Sequence, residues 1–199
     1  KTDRFDAQKA TESELKAYYD FFMKILEEAR PDDPKRPYEK FKKQILNHSE
    51  SIEVKRWVIR EDELITAYVI LYFQKEGENK HVTEGDIFVL PELRRKGIGT
   101  FLLKKMYEEA TKENCTMIDF SEFSTCSSGS EFLKEIGAKL GCTEHINQLK
   151  IADIDMKLMD EWIAKANERA EDYELEFWQN EIPEERMDSF LKLYNDFWN

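Results

Sequence analysis

Asp86 to Lys105 reads Asp-Ile-Phe-Val-Leu-Pro-Glu-Leu-Arg-Arg-Lys-Gly-Ile-Gly-Thr-Phe-Leu-Leu-Lys-Lys. Ile87 to Leu90 is a short apolar run, which predicts a buried strand. Pro91 closes it, because proline has no N–H for a sheet ladder. Arg94-Arg95-Lys96-Gly97-Ile98-Gly99-Thr100 follows as a basic turn punctuated by glycine. Beyond it Ile98, Phe101, Leu102, Met106 and Ala110 recur at helical spacing. Strand, cationic glycine loop and helix together form a device for holding a polyphosphate. The first N–H groups of a helix have no partner within it, and the helix dipole places partial positive charge at the same end. Gly97 and Gly99 let an anion approach the backbone closely, and Arg94, Arg95 and Lys96 add mobile positive charge.

The cluster of cations is informative because the chain as a whole carries a formal charge of −12. An isolated Gly-x-Gly fits a solvated loop equally well; the flanking strand and helix favour phosphate binding. Two other phosphate motifs are excluded. No Gly-x-x-x-x-Gly-Lys-Ser/Thr occurs, and Leu102 stands where a dinucleotide fingerprint needs its third glycine.

Composition bounds the class. The 199 residues suffice for one good core, or for one domain and a smaller piece. Aromatic residues at 13% and apolar residues at 41% argue for a folded chain, and 36% charged residues argue for solubility. No apolar run approaches the ~20 residues of a membrane span, and no signal-peptide pattern opens the chain. Cys115, Cys126 and Cys142 match no zinc spacing, and His48, His81 and His145 are scattered, so no metal site is expected. A reduced, cytoplasmic protein is the simplest expectation. The acidic balance argues against nucleic-acid binding and mildly favours cationic substrates such as amines.

Phe5 to Ala10 can form a first edge strand. Thr11 and Glu14 make a capping box, and Leu15, Tyr18, Tyr19, Phe22, Ile25, Leu26 and Ala29 form a helical stripe behind it. Pro31, Pro34 and Pro37 end that helix; Tyr38, Phe41 and Ile45 mark a second, shorter one. Ile52 to Arg60 is a strand with alternating residues. Leu64 to Phe73 is apolar at almost every position, which places it mid-sheet with both faces covered. A polar excursion from Gln74 to His81 leads to a strand over Val82 to Leu90. The next helix ends near Asn114. Thr116 to Phe123 is strand-like, and a strand–helix–strand crossover of this length predicts a parallel pair. Ser128 and Glu131 form another capping box before Phe132, Leu133, Ile136 and Leu140, and Thr143 to Ile151 is expected as a closing strand. Beyond Ala152 a helix is expected over Asp153 to Ala170, a strand over Tyr173 to Trp178, and a helix after Pro183 with Met187, Phe190, Leu191, Tyr194 and Trp198 on one stripe.

Arg94-x-x-Gly97-x-Gly99 resembles the acyl-CoA pyrophosphate loop of the GNAT superfamily of N-acyltransferases, whose pattern is Gln/Arg-x-x-Gly-x-Gly/Ala after a strand and opening a helix. The order β-α-α-β-β-β-α-β-α-β is that of the whole GNAT domain. The resemblance covers Asp3 to Ala152, about three quarters of the chain, and includes Phe132 to Lys139, which looks like the family's second signature. It implies an α/β (α+β) fold: a mixed, mostly antiparallel twisted sheet flanked by helices. The domain expected is residues 1–152. Residues 153–199 form a helix–strand–helix extension that resembles the opening of the second half of tandem GNAT proteins. That tail packs on the first domain, begins a second one, or is exchanged in a homodimer.

The resemblance also implies chemistry. The donor would be acetyl-CoA, with an unidentified amine as acceptor and no metal. Main-chain groups of Ile87, Phe88 and Val89 would pair with the pantetheine arm, and Arg94, Arg95, Lys96, Gly97, Ile98, Gly99 and Thr100 would hold the pyrophosphate. A carboxylate would take the amine proton. Glu84, Asp86 and Glu122 are the candidates, with Glu84 first; Glu84, Asp86 and Phe88 share one strand face. Two positions depart from the family. Leu133 stands where many members carry a tyrosine that protonates the leaving thiolate, and Cys126 where many carry a cofactor-contacting asparagine. A cysteine-like thiol has a pKa of about 8.5, so its thiolate leaves with little help at neutral pH. Tyr72 and Tyr107 are present but not placed by any motif.

Overall fold

The computed structural model describes every residue except His48 and Asn199, and the side chains of Asn167 and Trp198 are not described. His48 and the Trp198 side chain, named above, therefore lie outside the described residues. The elements in chain order are β1 (Asp3–Arg4), α1 (Glu12–Ala29), α2 (Tyr38–Leu46), β2 (Ile52–Glu61), β3 (Leu64–Gln74), β4 (Val82–Val89), α3 (Ile98–Lys112), β5 (Met117–Asp119), α4 (Ser127–Glu135), α5 (Met156–Arg169) and α6 (Glu184–Trp198). The five strands make one sheet in sequence order. β1 to β4 are antiparallel neighbours, and β4 and β5 are parallel across the α3 crossover. This is the mixed, mostly antiparallel α/β sheet that the sequence predicts.

β3 is buried along almost its whole length because it separates two apolar layers. Tyr68 and Ile70 face one way and pack with Leu15, Tyr18, Phe21 and Ile25 of α1. Ala67, Val69, Leu71 and Phe73 face the other way, against Leu102 and Met106 of α3. Each large apolar side chain buried in this manner stabilises the fold by roughly 1.5–3 kcal/mol.

The capping box at Thr11 and Glu14 forms as expected. The buried face of α1, however, includes Phe21, which the predicted stripe omits. α1 meets two neighbours, not one. Phe21 lies 6.1 Å from the Tyr68 ring on the sheet side, whereas Tyr19 and Phe22 lie 5.4 Å and 5.2 Å from Phe41 of α2.

Besides β5, treated below, three predicted strands differ. The first lies elsewhere: Phe5 to Ala10 forms no strand, β1 is Asp3–Arg4 just before it, and Phe5 continues the pairing through its N–H to the Arg56 carbonyl at 2.9 Å. Asp6 then draws the chain into a turn by accepting from the Gln8 N–H at 3.1 Å. Thr143 to Ile151 forms no strand; it runs without regular structure into a short 3₁₀ turn at Ile151–Asp153. β-propensity expresses fit to a neighbouring strand, and among the described residues β5 is the edge of the sheet. Tyr173 to Trp178 is likewise irregular. The two C-terminal helices do form: Asp155 caps α5 by accepting from the Leu158 N–H, and Pro183 immediately precedes α6. The chain divides into two compact units, Lys1–Gly141 and Cys142–Asn199.

Gly85, in the middle of β4, is required by packing. A Cβ there would lie 2.5 Å from Met106 Cε, 2.8 Å from the Ile70 carbonyl oxygen and 2.9 Å from Leu71 Cδ2. The Ile70 carbonyl is backbone in a central strand and cannot move aside cheaply. Gly85→Ala is expected to cost about 1–3 kcal/mol. Calorimetry should record a fall in Tm of roughly 3–10 °C.

Candidate active site

The loop after β4 is built by two left-handed residues. The chain leaves a 3₁₀ turn at Pro91–Leu93, passes Arg95 at φ 61° and reaches Gly97 at φ 82°. Gly97 is the N-cap of α3, and no side chain caps the helix there. The Phe101 N–H bonds the Gly97 carbonyl at 3.0 Å, so the amides of Ile98, Gly99 and Thr100 precede the first helical bond. A Cβ at Gly97 would meet nothing within 4 Å, so the approach to these amides is open. On the other side, the Phe132 ring lies 3.5 Å from where a Gly99 Cβ would be. Phe132 thus packs beside the second glycine of the loop, a contact that the two separate motifs do not reveal. Arg95 and Lys96 are exposed at the rim. Unfilled amides, a helix N-terminus and two solvent-facing cations fit a diphosphate.

Arg94 is not mobile charge. Its guanidinium donates from Nε to the Val89 carbonyl at 3.0 Å and from Nη1 to Glu28 Oε1 at 2.6 Å and Ser128 Oγ at 3.2 Å. Nη2 bonds Glu28 Oε2 at 2.5 Å. The hydrogen bonds from Arg94 hold the Glu28 carboxyl below its ordinary range.

β4 and β5 separate beside this loop. Their pairing runs through Val82–Met117, Thr83–Ile118 and Glu84–Asp119 and then stops, although β4 continues to Val89. β5 is therefore shorter than the predicted Thr116–Phe123. The Leu90 N–H bonds the Thr66 carbonyl at 3.1 Å, in register with the β3–β4 ladder. In an antiparallel ladder alternate residues bond the same neighbour, so Phe88 and Asp86 bond β3. Ile87 and Val89, beyond the last β4–β5 pair, turn their N–H and C=O groups outward, into the gap that β5 leaves. One of these, the Val89 carbonyl, is taken by Arg94. Phe88 itself stacks on Tyr68 with ring centroids 5.6 Å apart, so its side chain belongs to the core.

The structure brings Glu84 and Asp86 together and leaves Glu122 apart. Glu84 and Asp86 lie on one face of β4, opposite Tyr72 and Ile70 of β3. Asp86 is half-buried, whereas Glu84 is exposed. Burial pushes the Asp86 carboxyl up to about 6; the neighbouring Glu84 charge pushes the same way, and the Ser121 N–H, which hydrogen-bonds the carboxylate, opposes both. Ser121 belongs to the stretch where β5 has ended, so Asp86 stands at the mouth of the separation. Tyr72 adjoins both carboxylates, and burial raises its phenol to about 12, which keeps it protonated. Tyr72, Glu84, Asp119, Glu76 and Glu78 line a cleft of about 360 Å³. Tyr107 is exposed on α3 and does not line this cleft.

Glu122 lies beyond the end of β5, and its carboxylate accepts the Ser130 hydroxyl of α4 at 2.5 Å. It braces the start of that helix. Cys126 is the N-cap residue of α4 and makes no capping bond with its side chain. Leu133 sits within α4, one residue past the Phe132 ring. Among the described residues, no group of three or more His, Cys, Asp or Glu is placed to hold a metal, and no helix is long and apolar enough to cross a membrane.

A mixed sheet that opens beside an uncapped, glycine-lined helix start is the frame of an acyl-CoA-dependent transferase. A family model described as the acetyltransferase (GNAT) family matches residues 15–129, and the chain belongs to that family. A comparison with curated protein sequences finds no match. Among solved structures, the chain is similar to an integron cassette protein from the mobile metagenome of V. cholerae, at 21% identity and a TM-score of 0.55, over 75% of this chain and 91% of that one. It is similar to a ribosomal-protein-alanine N-acetyltransferase from Brucella melitensis biovar Abortus 2308, at 14% identity and a TM-score of 0.55, over 75% and 99%. It is also similar to AAC(6')-Iy, solved with a bisubstrate analogue of CoA, at 13% identity and a TM-score of 0.51, over 75% and 99%. At these identities the likeness shows the fold.

Proposed function

We propose that this protein transfers the acetyl group of acetyl-CoA to a primary amine by direct attack on the thioester, with Asp86 as general base. Acetyl-CoA supplies the thioester when bound. The loop amides from Arg95 to Thr100 hold its diphosphate, and the outward main chain of Ile87 offers the pantetheine arm a strand edge. The amine must lose its proton to attack, and free lysine-like amines have a pKa of about 10.4. The observation that carries the proposal is Asp86, raised to about 6 at the mouth of the gap between β4 and β5. A carboxylate raised that far is a stronger base than an ordinary one and is still ionised at neutral pH. Glu84 supports it as a neighbouring charge rather than as the first-choice base. The protonated Tyr72 hydroxyl, beside these carboxylates, serves in place of Leu133 as the proton donor to the leaving thiolate. Glu76, Glu78, Glu84 and Asp119 give the adjoining cleft a negative lining that suits a cationic acceptor. Cys115, Cys126 and Cys142 are free thiols, in keeping with a reducing, cytoplasmic setting.

Thermal shift against acetyl-CoA, CoA and ATP tests the binding half. A ligand at a hundred times its Kd stabilises by about 2.7 kcal/mol. That corresponds to a rise in Tm of roughly 5–10 °C with either CoA species and a much smaller one with ATP. Equal stabilisation by ATP would reduce the loop to a general phosphate site. Release of CoA thiol across a panel of primary amines tests the transfer half; binding without release from any amine would leave an acyl-CoA-binding module.

A further inference from the structure

Arg94 reaches beyond its own loop in a way that neither the fold nor the pyrophosphate motif requires. Its guanidinium joins three elements. Nη1 and Nη2 form a two-bond fork with Glu28 in the last turn of α1, at 2.6 Å and 2.5 Å. Nη1 also meets Ser128 Oγ in the first turn of α4, at 3.2 Å. Nε holds the carbonyl of Val89, the last residue of β4, at 3.0 Å. A second tie binds the same helix end: the Thr125 hydroxyl donates to the Ala29 carbonyl at 2.6 Å. The end of α1 is thus fastened both to the phosphate loop and to the chain entering α4.

The fastening sits where the loop is least favourable on its own. Arg95, the next residue, is left-handed at φ 61°, and Gly97 is left-handed again at φ 82°. A non-glycine residue in that region is strained, and it persists only where the surroundings over-determine it. The fork fixes the chain immediately before Arg95. A planar, bidentate Arg–carboxylate pair is directional, so it sets an orientation as well as a distance. Both partners are largely withdrawn from solvent, with side chains 24% and 30% exposed.

We infer that Glu28, on α1, is a positioning residue for the cofactor loop: through Arg94 it holds the amides of residues 95–100 in their phosphate-receiving arrangement before acyl-CoA arrives. Glu28 touches no reacting atom. Its effect is on the affinity for CoA, because a loop already ordered loses less conformational freedom on binding. The inference rests on the loop being the diphosphate site.

A double-mutant cycle with the full chain tests it: wild type, Glu28→Gln, Arg94→Gln and the pair, with CoA Kd by titration calorimetry and with Tm recorded for each. Glu28→Gln keeps the size and one hydrogen bond but removes the charge. The expected result is a CoA Kd raised about tenfold by either single change and no further by the second, since both act on one interaction. For Glu28→Gln, with an amine that wild type turns over, KM for acetyl-CoA should rise while kcat and the acceptor KM stay within about twofold. Glu28→Asp should recover part of the lost affinity. Unchanged CoA affinity in Glu28→Gln, or losses that simply add in the pair, would overturn the inference while leaving the diphosphate site in place. A wild-type chain with no measurable CoA affinity would remove the site itself.

Discussion

Asp86→Asn is expected to lower kcat/KM for amine acetylation by about 100- to 1000-fold, the range a positioned general base contributes. The readout is CoA thiol release with an amine that wild type turns over. In wild type, kcat/KM should fall as pH drops through about 6, where the Asp86 carboxyl takes up its proton. The variant should lack that limb. The groups facing Asp86 are Glu84 on its own strand, the Ser121 N–H across the gap, and Tyr72, Tyr68 and Tyr18 on the side of β3 and α1. Stability should move the other way. The folded pKa lies above that of an exposed aspartate, so between about pH 4 and pH 6 the native state holds a proton that the unfolded chain has released. Stability therefore falls as pH rises through that window, and at pH 7 the charged carboxylate opposes folding. Asp86→Asn removes that opposition and should match or exceed the wild-type Tm at pH 7. A variant that loses activity while keeping its Tm separates chemistry from folding. Full activity in Asp86→Asn would reassign the base to Glu84.

Gly97→Glu should raise the Kd for CoA more than 100-fold. The position has room, since a Cβ there touches nothing within 4 Å, so the protein itself does not clash with the new side chain. Two effects oppose the ligand. A side chain at φ 82° is strained by about 1–2 kcal/mol, which disfavours the turn that opens α3. A carboxylate placed at the helix N-terminus also occupies the field that would receive the diphosphate. Gly97→Asn separates the two, because asparagine tolerates left-handed backbone and carries no charge. It should weaken CoA binding by no more than about tenfold, an upper limit set by residual backbone strain. Titration calorimetry on both variants, with circular dichroism confirming the helices, decides the matter. Undiminished affinity in Gly97→Glu would show that the diphosphate does not meet these amides.

Much of this protein is legible from neighbours in sequence. The capping box at Thr11, the two-faced apolar run of β3, the breaks at proline and the glycine loop before α3 all depend on interactions within a few residues. Residue type and spacing express such interactions directly, and the family follows from the loop they frame. The parity that puts Glu84, Asp86 and Phe88 on one face of β4 is local in the same sense.

What spacing does not carry is who stands opposite. Phe21 joins the core because α1 lies between a sheet and a second helix. Thr143 to Ile151 forms no strand, although its composition suits one, because a strand exists only with a partner. Glu84 and Asp86 are equivalent as letters, but Asp86 alone is withdrawn from water and bonded by Ser121. Arg94 sits among three cations in sequence, and only folding brings Glu28 from 66 residues away to bind it. Burial and ion pairing depend on distances through space, and the tertiary structure decided both; helices, turns and the glycine loop depend on distances along the chain, and the sequence by itself determined those.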